Sequence, residues 1–315
     1  MKMKKLPGKE SDSSHLRIAV IGTINSDTIF LPDGHRLESL GGILYNIRAL
    51  AQLMGPRVEI IPVTNVGRDL AEPILAACSA CGSVNLDAVR IVPHPHNRCT
   101  MRYRTPAERS ETLSGGVGAI SWPQIEFALQ ADLILVNFIS GYDISWRNLQ
   151  RLRREYRGPI HLDFHSRTLA LAHDGSRYLR PPPRWQEYLC CADYLQMNEP
   201  EYRTLSGEAA SRNGCLEFAR LYLSPSAAMF VTLGDSGCFV VEPGPKRQRC
   251  IHLRALDSPT ICQTTGCGDV FAAGFLSARL QGHSVQRAAK AGNSAASLAA
   301  GCSIPEQLDL SGLCF

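Results

Sequence analysis

The chain has 315 residues, of which 44% are hydrophobic and 20% charged, and its formal net charge is +4. This composition is typical of a globular protein with a large core and excludes a disordered, collagenous or coiled-coil chain. The positive charge is too small to predict nucleic-acid binding, and no run approaches the roughly 18 apolar residues that span a membrane. The chain has twelve cysteines, but its first residues lack an apolar signal segment, which predicts a reducing, cytoplasmic location.

Short β-branched runs alternate with helical patterns along most of the chain. The first predicted strand covers residues 17–22. Further strands are predicted at 58–63, 133–136, 159–163, 194–197 and 229–233, and helices at 42–54, 69–82, 143–157, 199–205 and 212–223. Strands that are separated by helices predict parallel β/α units.

Two segments interrupt this alternation. Residues 27–40 and 98–113 alternate polar with apolar side chains and contain turn formers, which predicts antiparallel strands in a small separate sheet. We therefore predict an α/β fold with a doubly wound, mostly parallel sheet, helices on both faces and a small β lid. Residues 1–16 are predicted to be a polar tail, followed by one domain over residues 17–315.

The segment QTTGCGDVFAAGFLSARL, at residues 263–280, is the most informative for function. A Gly-x-Gly turn leads into a helix of small and apolar residues, so the N–H groups of Gly266, Cys267, Gly268 and Asp269 would form a site for an anion such as phosphate. Asp269 would then accept a proton from a substrate hydroxyl while the amides hold the phosphoryl group. The alternative is that Asp269 only caps the helix.

The stretch TTGCGDVF, at residues 264–271, resembles the signature D-T-x-G-A-G-D-x-F of the ribokinase-like (PfkB-type) carbohydrate kinases. Other similar segments follow the order found in that family: VIGTINSD at 20–27, GGILYN at 41–46, NEPE at 198–201, VTLGDSG at 231–237, and Asn293. The resemblance implies a ribokinase-like fold and a magnesium-dependent transfer of the γ-phosphate of ATP to a hydroxyl of a sugar or sugar acid. It makes Asp269 the general base and Gly266, Cys267 and Gly268 the anion hole.

The resemblance also implies roles in binding, for which turn residues and helix caps are the alternatives. The implied sugar-binding residues are Asn25, Asp27, Gly41, Gly42, Asn46 and Arg167. The implied nucleotide-binding residues are Asn198, Thr232, Gly234 and Asn293, and Glu201 would hold Mg²⁺ through water. His165 replaces the asparagine of the family pattern Asp-x-Asn-x-Arg. Arg102 and Arg104 would add positive charge above the site or form a solvated surface.

Three further departures from the family pattern qualify the resemblance. Gln263 replaces the usual aspartate of a monovalent-cation site, which argues against potassium activation. Cys267 replaces an alanine, and a thiol at a helix N-terminus is expected to have a lowered pKa and to be sensitive to oxidation or alkylation. The short segment 27–40 predicts weaker closure or weaker lid-mediated dimerisation, so a homodimer stays an alternative.

Two other functions remain open from the sequence. A nucleoside kinase of the adenosine type would need an aromatic slot for a base, for which Tyr45 and Phe30 are candidates. A non-catalytic protein that senses sugars or nucleotides is the second alternative, although the intact segment 266–269 argues against it. The predicted partners are a small sugar and ATP, without nucleic acid or membrane.

Overall fold

The computed structural model describes residues 16–105, 108–244, 247–256, 264–302 and 307–313. Its strands, in chain order, are β1 (Leu16–Ile21), β2 (Ile24–Phe30), β3 (Arg36–Gly42), β4 (Val58–Gly67), β5 (Val89–Val92), β6 (Arg98–Tyr103), β7 (Arg109–Ser114), β8 (Leu133–Asn137), β9 (Ile160–Asp163), β10 (Leu169–Leu171), β11 (Arg177–Leu179), β12 (Tyr194–Asn198), β13 (Ala228–Thr232), β14 (Cys238–Glu242) and β15 (Arg249–Leu253). Its α-helices are α1 (Ile43–Met54), α2 (Ala71–Ser79), α3 (Trp122–Ile125), α4 (Trp146–Glu155), α5 (Trp185–Leu189), α6 (Glu199–Ser206), α7 (Arg212–Tyr222), α8 (Cys267–Leu280) and α9 (Val285–Ala300).

Nine of these strands form the main sheet, in the order β15-β14-β13-β12-β9-β8-β1-β4-β5. From β5 to β13 all neighbouring strands run parallel, as predicted. The two strands at the other edge, β14 and β15, are antiparallel and were not predicted. Five residues join β13 to β14, which is too short for a crossover and therefore makes a hairpin.

Helices cover both faces of this sheet, which confirms the predicted doubly wound arrangement. Ile18 and Val20 of β1 pack in a core cluster with α1, α2, α8 and α9. Ala19 and Ile21, which point the other way, pack in a second cluster with α3 to α7. A strand buried on both faces explains why its sequence is continuously apolar rather than alternating.

A separate four-stranded sheet, in the order β3-β2-β6-β7, forms the lid. The hairpins β2–β3 and β6–β7 are antiparallel as predicted, but β2 and β6 pair in parallel. The prediction of an antiparallel sheet was wrong at this junction, because the chain passes through α1, β4 and α2 before it returns to the lid. The lid strands also begin at Ile24 rather than at residue 27.

An unpredicted hairpin, β10–β11, follows β9 and contacts the lid strand β7 through a bridge between Thr112 and Ser176. Fifteen residues of the predicted polar tail, 1–15, lie outside the described residues, and residue 16 already belongs to β1. In the part of the chain that the structure describes, no helix is both long enough and apolar enough to cross a membrane.

Candidate active site

The turn that enters α8 has the geometry of an anion-binding loop. Gly266 lies in the left-handed region with φ 81°, and a Cβ there would come within 3.1 Å of the Tyr45 ring, so this position requires glycine. Among the described residues, no acceptor is found for the N–H groups of Gly266 and Gly268. The N–H of Cys267 donates to the carbonyl of Thr264 at 3.3 Å, so it is already engaged in the turn.

Asp269 lies in the first turn of α8 beside these amides. Its Oδ1 accepts a hydrogen bond from Asn137 Nδ2 at 2.6 Å, and its carbonyl accepts one from Asn46 Nδ2 at 2.9 Å. Burial raises the pKa of Asp269 to about 6, against the lowering effects of His165, of Asn137 and of its own backbone N–H. Among the described residues, Gly266 is the N-cap of α8 and no side chain caps the helix, so Asp269 is not its cap. At neutral pH the carboxylate is mostly ionised and is a stronger base than an ordinary aspartate.

Asn137 is a site residue that the sequence patterns did not reveal. It ends β8, is fully buried, and its Nδ2 also donates to Asn46 Oδ1 at 2.9 Å. The signal was a polar residue that closes the apolar run LILVN, at the carboxyl end of a parallel strand where ligands bind. Asn46, expected to contact a sugar, is instead fully buried between Asn137 and α8.

Asn25 and Asp27, on β2, face the site from the lid. Burial raises the pKa of Asp27 to about 8, and the neighbouring charges of Glu111 and Asp269 act in the same direction against Arg109. Asp27 is therefore largely protonated at pH 7 and can donate as well as accept. Asn25 Oδ1 is buried without a partner among the described residues, so an acceptor atom is left for a ligand.

Two glycines on β3 allow the lid to approach the site. A Cβ on Gly41 would lie 1.9 Å from Asp27 Oδ2, so only glycine fits there. Gly42 has φ 62° and precedes α1 directly. The space that both residues leave is used by the chain itself, by the side chain of Asp27 at Gly41 and by the carbonyl of Thr23 at Gly42, and their contact with a sugar stays a prediction.

The lid arginine that approaches the site is Arg109, not the predicted Arg102 and Arg104. Arg102 lies over the Phe30 ring at 4.0 Å, and Arg104 is exposed and 3.6 Å from Glu108. Arg109 pairs with Tyr103 across β6–β7 and electrostatically lowers the pKa of Asp269. Alternate residues of a strand lie on the same face, and those on the face of Tyr103 point toward the core. This alternation is the sequence signal that could have identified Arg109.

Asn198 and Glu201 form a capping box at the start of α6. Asn198 Oδ1 accepts from the N–H of Glu201 at 2.9 Å, while Glu201 accepts from the N–H and Nδ2 of Asn198, both at 2.7 Å. His165 Nδ1 lies 3.3 Å from Glu201 Oε1, and although burial opposes it, Glu201 and nearby carboxylates raise the pKa of His165 to about 9. These residues therefore hold a protonated imidazole beside the site.

The residues around Glu201 fit a magnesium ion only through water. A carboxylate has about four lone-pair positions, and three of them already face donors from Asn198 and His165. One position is left for a water of the ion, which agrees with the preference of Mg²⁺ for retaining its waters. Among the described residues, no three His, Cys, Asp or Glu side chains are grouped as metal ligands.

Gln196 supports the loop from below the site. Its Nε2 donates to the carbonyl of Gly268 and to Asp163 Oδ2, both at 2.9 Å, and its Oε1 lies 3.2 Å from His161 Nε2. Burial lowers the pKa of His161 to about 3 and raises that of Asp163 well above its ordinary value. His161 is therefore neutral. Its Nε2–H faces Gln196 Oε1, so the Nε2 end of the Gln196 amide faces the loop.

The terminal nitrogens of Arg167 bond to residues outside this cluster. It donates from Nη1 to the carbonyl of Gly141 at 2.8 Å and from Nη2 to Tyr188 OH at 3.1 Å. Its guanidinium also lies 4.9 Å from the centre of the Tyr188 ring. These contacts give Arg167 a structural role in joining the loop after β8 to α5.

The predicted nucleotide-binding residues lie at one end of the sheet. Thr232 ends β13 next to Asn198 of β12, and Gly234 follows with φ 62°. Asn293, on α9, donates from Nδ2 to the carbonyl of Arg254 at 2.6 Å. The structure thus brings these residues to the same end of the sheet as the turn that enters α8. Asn293 also holds the chain at Arg254, directly after β15.

Cys267 does not have the environment predicted for a reactive thiol. Burial, together with the negative charge of Asp269, raises its pKa to about 12, against a lowering by Arg109. The expectation of a lowered pKa was wrong, because desolvation outweighs the helix dipole here. Gln263, on which the expectation about potassium depends, lies outside the described residues.

Comparisons with known proteins agree with this arrangement. Residues 171–306 match the model of the pfkB family carbohydrate kinases. A cytidine kinase from Thermococcus kodakarensis is 24% identical over 282 residues, which cover 88% of this chain and 93% of that protein.

Solved structures give the same result for the fold. A pyrophosphate-dependent kinase in the ribokinase family, in complex with sulfate, has a TM-score of 0.77 and 19% identity, covering 94% of this chain and 100% of that one. Arabidopsis thaliana ribokinase, in complex with ribose and ATP, has a TM-score of 0.71 and 21% identity, with 94% and 96% covered. The predicted resemblance is confirmed: the chain has the ribokinase-like fold, and its residues 171–306 match the PfkB carbohydrate kinase family.

Proposed function

We propose that this protein is an ATP-dependent kinase that transfers the γ-phosphate to a hydroxyl of a sugar, a sugar acid or the sugar of a nucleoside. The observation that carries the proposal is the position of Asp269, which is held by Asn137 at 2.6 Å in the first turn of α8, directly after the amides of Gly266 and Gly268. A carboxylate beside an anion-binding turn repels phosphate, so its position there needs a reason. Deprotonation of the acceptor hydroxyl supplies that reason.

In the proposed reaction, Asp269 accepts the proton of the attacking hydroxyl. The amides of Gly266 and Gly268, which have no acceptor among the described residues, and the guanidinium of Arg109 stabilise the negative charge of the transferred group. Magnesium, when bound with the donor, neutralises phosphate charge, and Glu201 would hold it through a water. Thr232, Gly234, Asn198 and Asn293 are proposed to bind the nucleotide.

The lid supports a polyol as the acceptor. Protonated Asp27 can donate to one oxygen, and Asn25 Oδ1 lacks a donor among the described residues, so two neighbouring hydroxyls would satisfy both groups. Phe30 lies under Arg102, whereas the Tyr45 ring packs against Gly266. These features favour a sugar, whereas the relative that is a cytidine kinase favours a nucleoside as the second candidate.

A substrate screen tests the proposal. Purified protein is incubated with Mg²⁺ and ATP against hexoses, pentoses, keto-sugar acids, cytidine and adenosine, with and without K⁺, and ADP release is measured. A parallel series with pyrophosphate follows phosphorylated product by ³¹P NMR, since pyrophosphate-dependent kinases share the fold. Product from no acceptor with either donor would contradict the proposal and favour a sensing protein.

An Asp269→Asn variant tests the role of the base. We expect a fall in kcat of about 10³-fold or more with ATP affinity nearly unchanged, because the amide cannot accept the proton. Asp174→Asn, in the exposed turn between β10 and β11, is the matched control. Turnover of Asp269→Asn close to that of wild type would remove the assignment.

A further inference from the structure

The lid contacts the anion-binding loop through a buried hydrogen bond. Tyr103, at the end of β6, lies with its hydroxyl 2.8 Å from Thr265 Oγ1, and the two residues are 162 positions apart in the chain. Both side chains are buried. Thr265 directly precedes Gly266 and occupies the position that the D-T-x-G signature leaves free, so this contact is a property of this chain.

A charged neighbour favours donation by Tyr103 in this hydrogen bond. Arg109 Nη1 donates to the hydroxyl oxygen of Tyr103 at 2.8 Å. A guanidinium can only donate, so the single proton of Tyr103 is free to be donated to Thr265. Arg109 lies across the β6–β7 pair from Tyr103, and the three polar groups therefore form a directed chain from the lid to the loop.

The lid strand that carries Arg109 is itself joined to the core. Glu111, on β7, lies 3.8 Å from Arg109 Nη2 and 3.3 Å from Arg177 Nη1. Arg177 is buried and also donates to the carbonyls of Ser140 and Ser166, in the loops that follow β8 and β9. Ion pairs and hydrogen bonds thus connect the lid strand β7 to the core on one side and, through Arg109 and Tyr103, to the loop that enters α8 on the other.

Thr265 Oγ1 also lies 4.0 Å from Met101 Sδ of the lid strand β6, whereas the carbonyls on the helix side of the turn are held by the core. Gln196 Nε2 donates to the carbonyl of Gly268, and Asn46 Nδ2 donates to that of Asp269, both at 2.9 Å. These contacts hold the helix side of the turn. Thr265 lies on the opposite side of Gly266, where the chain enters the turn.

We infer that Tyr103 is a positioning residue whose hydrogen bond to Thr265 aligns the amides of Gly266 and Gly268 when the lid covers the site. This inference rests on the proposed function. Without the contact, the core still holds Asp269, but the entry to the turn loses its link to the lid. The amides then fit the transferred group less well, while both substrates still bind.

Kinetics of Tyr103→Phe and Thr265→Val test the inference. We expect each variant to lower kcat about tenfold, as for one lost hydrogen bond, and to change either KM by less than about twofold. Tyr103→Phe removes the hydrogen bond from Arg109 as well as the one to Thr265, so the double variant is expected to be no worse than Tyr103→Phe alone. Thr265→Ser keeps the hydroxyl and should recover most of the turnover. Ser110→Ala, exposed on the lid strand β7, is the control.

Hydrogen exchange of the unliganded protein gives a readout that does not depend on the substrate. We expect the peptide covering residues 264–271 to exchange faster in Tyr103→Phe than in wild type, and unchanged in Ser110→Ala. Losses of turnover that multiply in the double variant, or equal exchange in Tyr103→Phe and wild type, would overturn the inference. If wild type phosphorylates no acceptor, the proposed function fails, and the exchange experiment still decides whether the lid orders the loop.

Discussion

Replacement of Asn137 by alanine should move the acid side of the pH profile of kcat/KM. Asn137 donates to Asp269 Oδ1 at 2.6 Å and is one of the groups that lower the pKa of this carboxyl, which burial raises to about 6. A hydrogen bond to a charged group contributes about 1.5–3 kcal/mol, and the partial exposure of Asp269 favours the lower end. Since one pKa unit equals about 1.4 kcal/mol, the pKa should rise to about 7.

The sign of the effect follows from the role of Asp269 as a base. Only the ionised carboxylate accepts a proton, so activity is lost as the pH falls through its pKa. With a pKa of about 7 instead of about 6, the ionised fraction at pH 6 falls about fivefold, whereas at pH 8.5 it hardly changes.

The assay measures kcat/KM from pH 5 to 9 for wild type, Asn137→Ala and the control Asn148→Ala. Asn148 also donates through Nδ2 to a carbonyl, that of Ile120, but lies on α4 away from the site. The titration of the nucleotide is common to all three proteins and cancels in their ratio. An acid limb at the same pH in Asn137→Ala and wild type would refute the reasoning, even if the plateau were lower.

Three further predictions concern the loop and its support. Gly266→Ala should lower the free energy of unfolding by about 1–2 kcal/mol, since alanine is strained at φ 81°. Gly268→Ala should leave it unchanged, because the atom nearest to the added Cβ lies at 3.6 Å. Thermal and denaturant unfolding of the two variants test this difference. Arg177→Met should lower the free energy of unfolding by about 3–5 kcal/mol, because Glu111 then keeps only its longer ion pair with Arg109 and the carbonyls of Ser140 and Ser166 lose this buried donor. In urea unfolding, a loss no larger than that of exposed Arg154→Met would contradict this. Cys267→Ala should leave the rate of inactivation by iodoacetamide at pH 7.5 unchanged, since the pKa of the Cys267 thiol is raised to about 12. Slower inactivation of the variant than of wild type would instead support a reactive thiol at Cys267.

The sequence by itself determined the main features of the fold and the centre of the site. Apolar runs that alternate with helical patterns are local signals, and they indicated the parallel strands and the helices on both faces. A glycine turn before a buried helix is also a local signal, because free amides and the helix dipole belong to that one segment. Local sequence was therefore enough to select Asp269, whereas the residues at the carboxyl ends of β12 and β13 were selected through the resemblance to the ribokinase-like family.

Only the tertiary structure decided which side chains complete the site. Pairing of Tyr103 with Arg109 sets which lid residues face inward, and that register depends on contacts between distant parts of the chain. The parallel pairing of β2 with β6 has the same origin. The pKa of Cys267 shows the reason most clearly: the local rule for a helix N-terminus predicts a lowered value, whereas burial by residues from several elements raises it. Desolvation and strand register are properties of the packed molecule, so no single segment of sequence contains them.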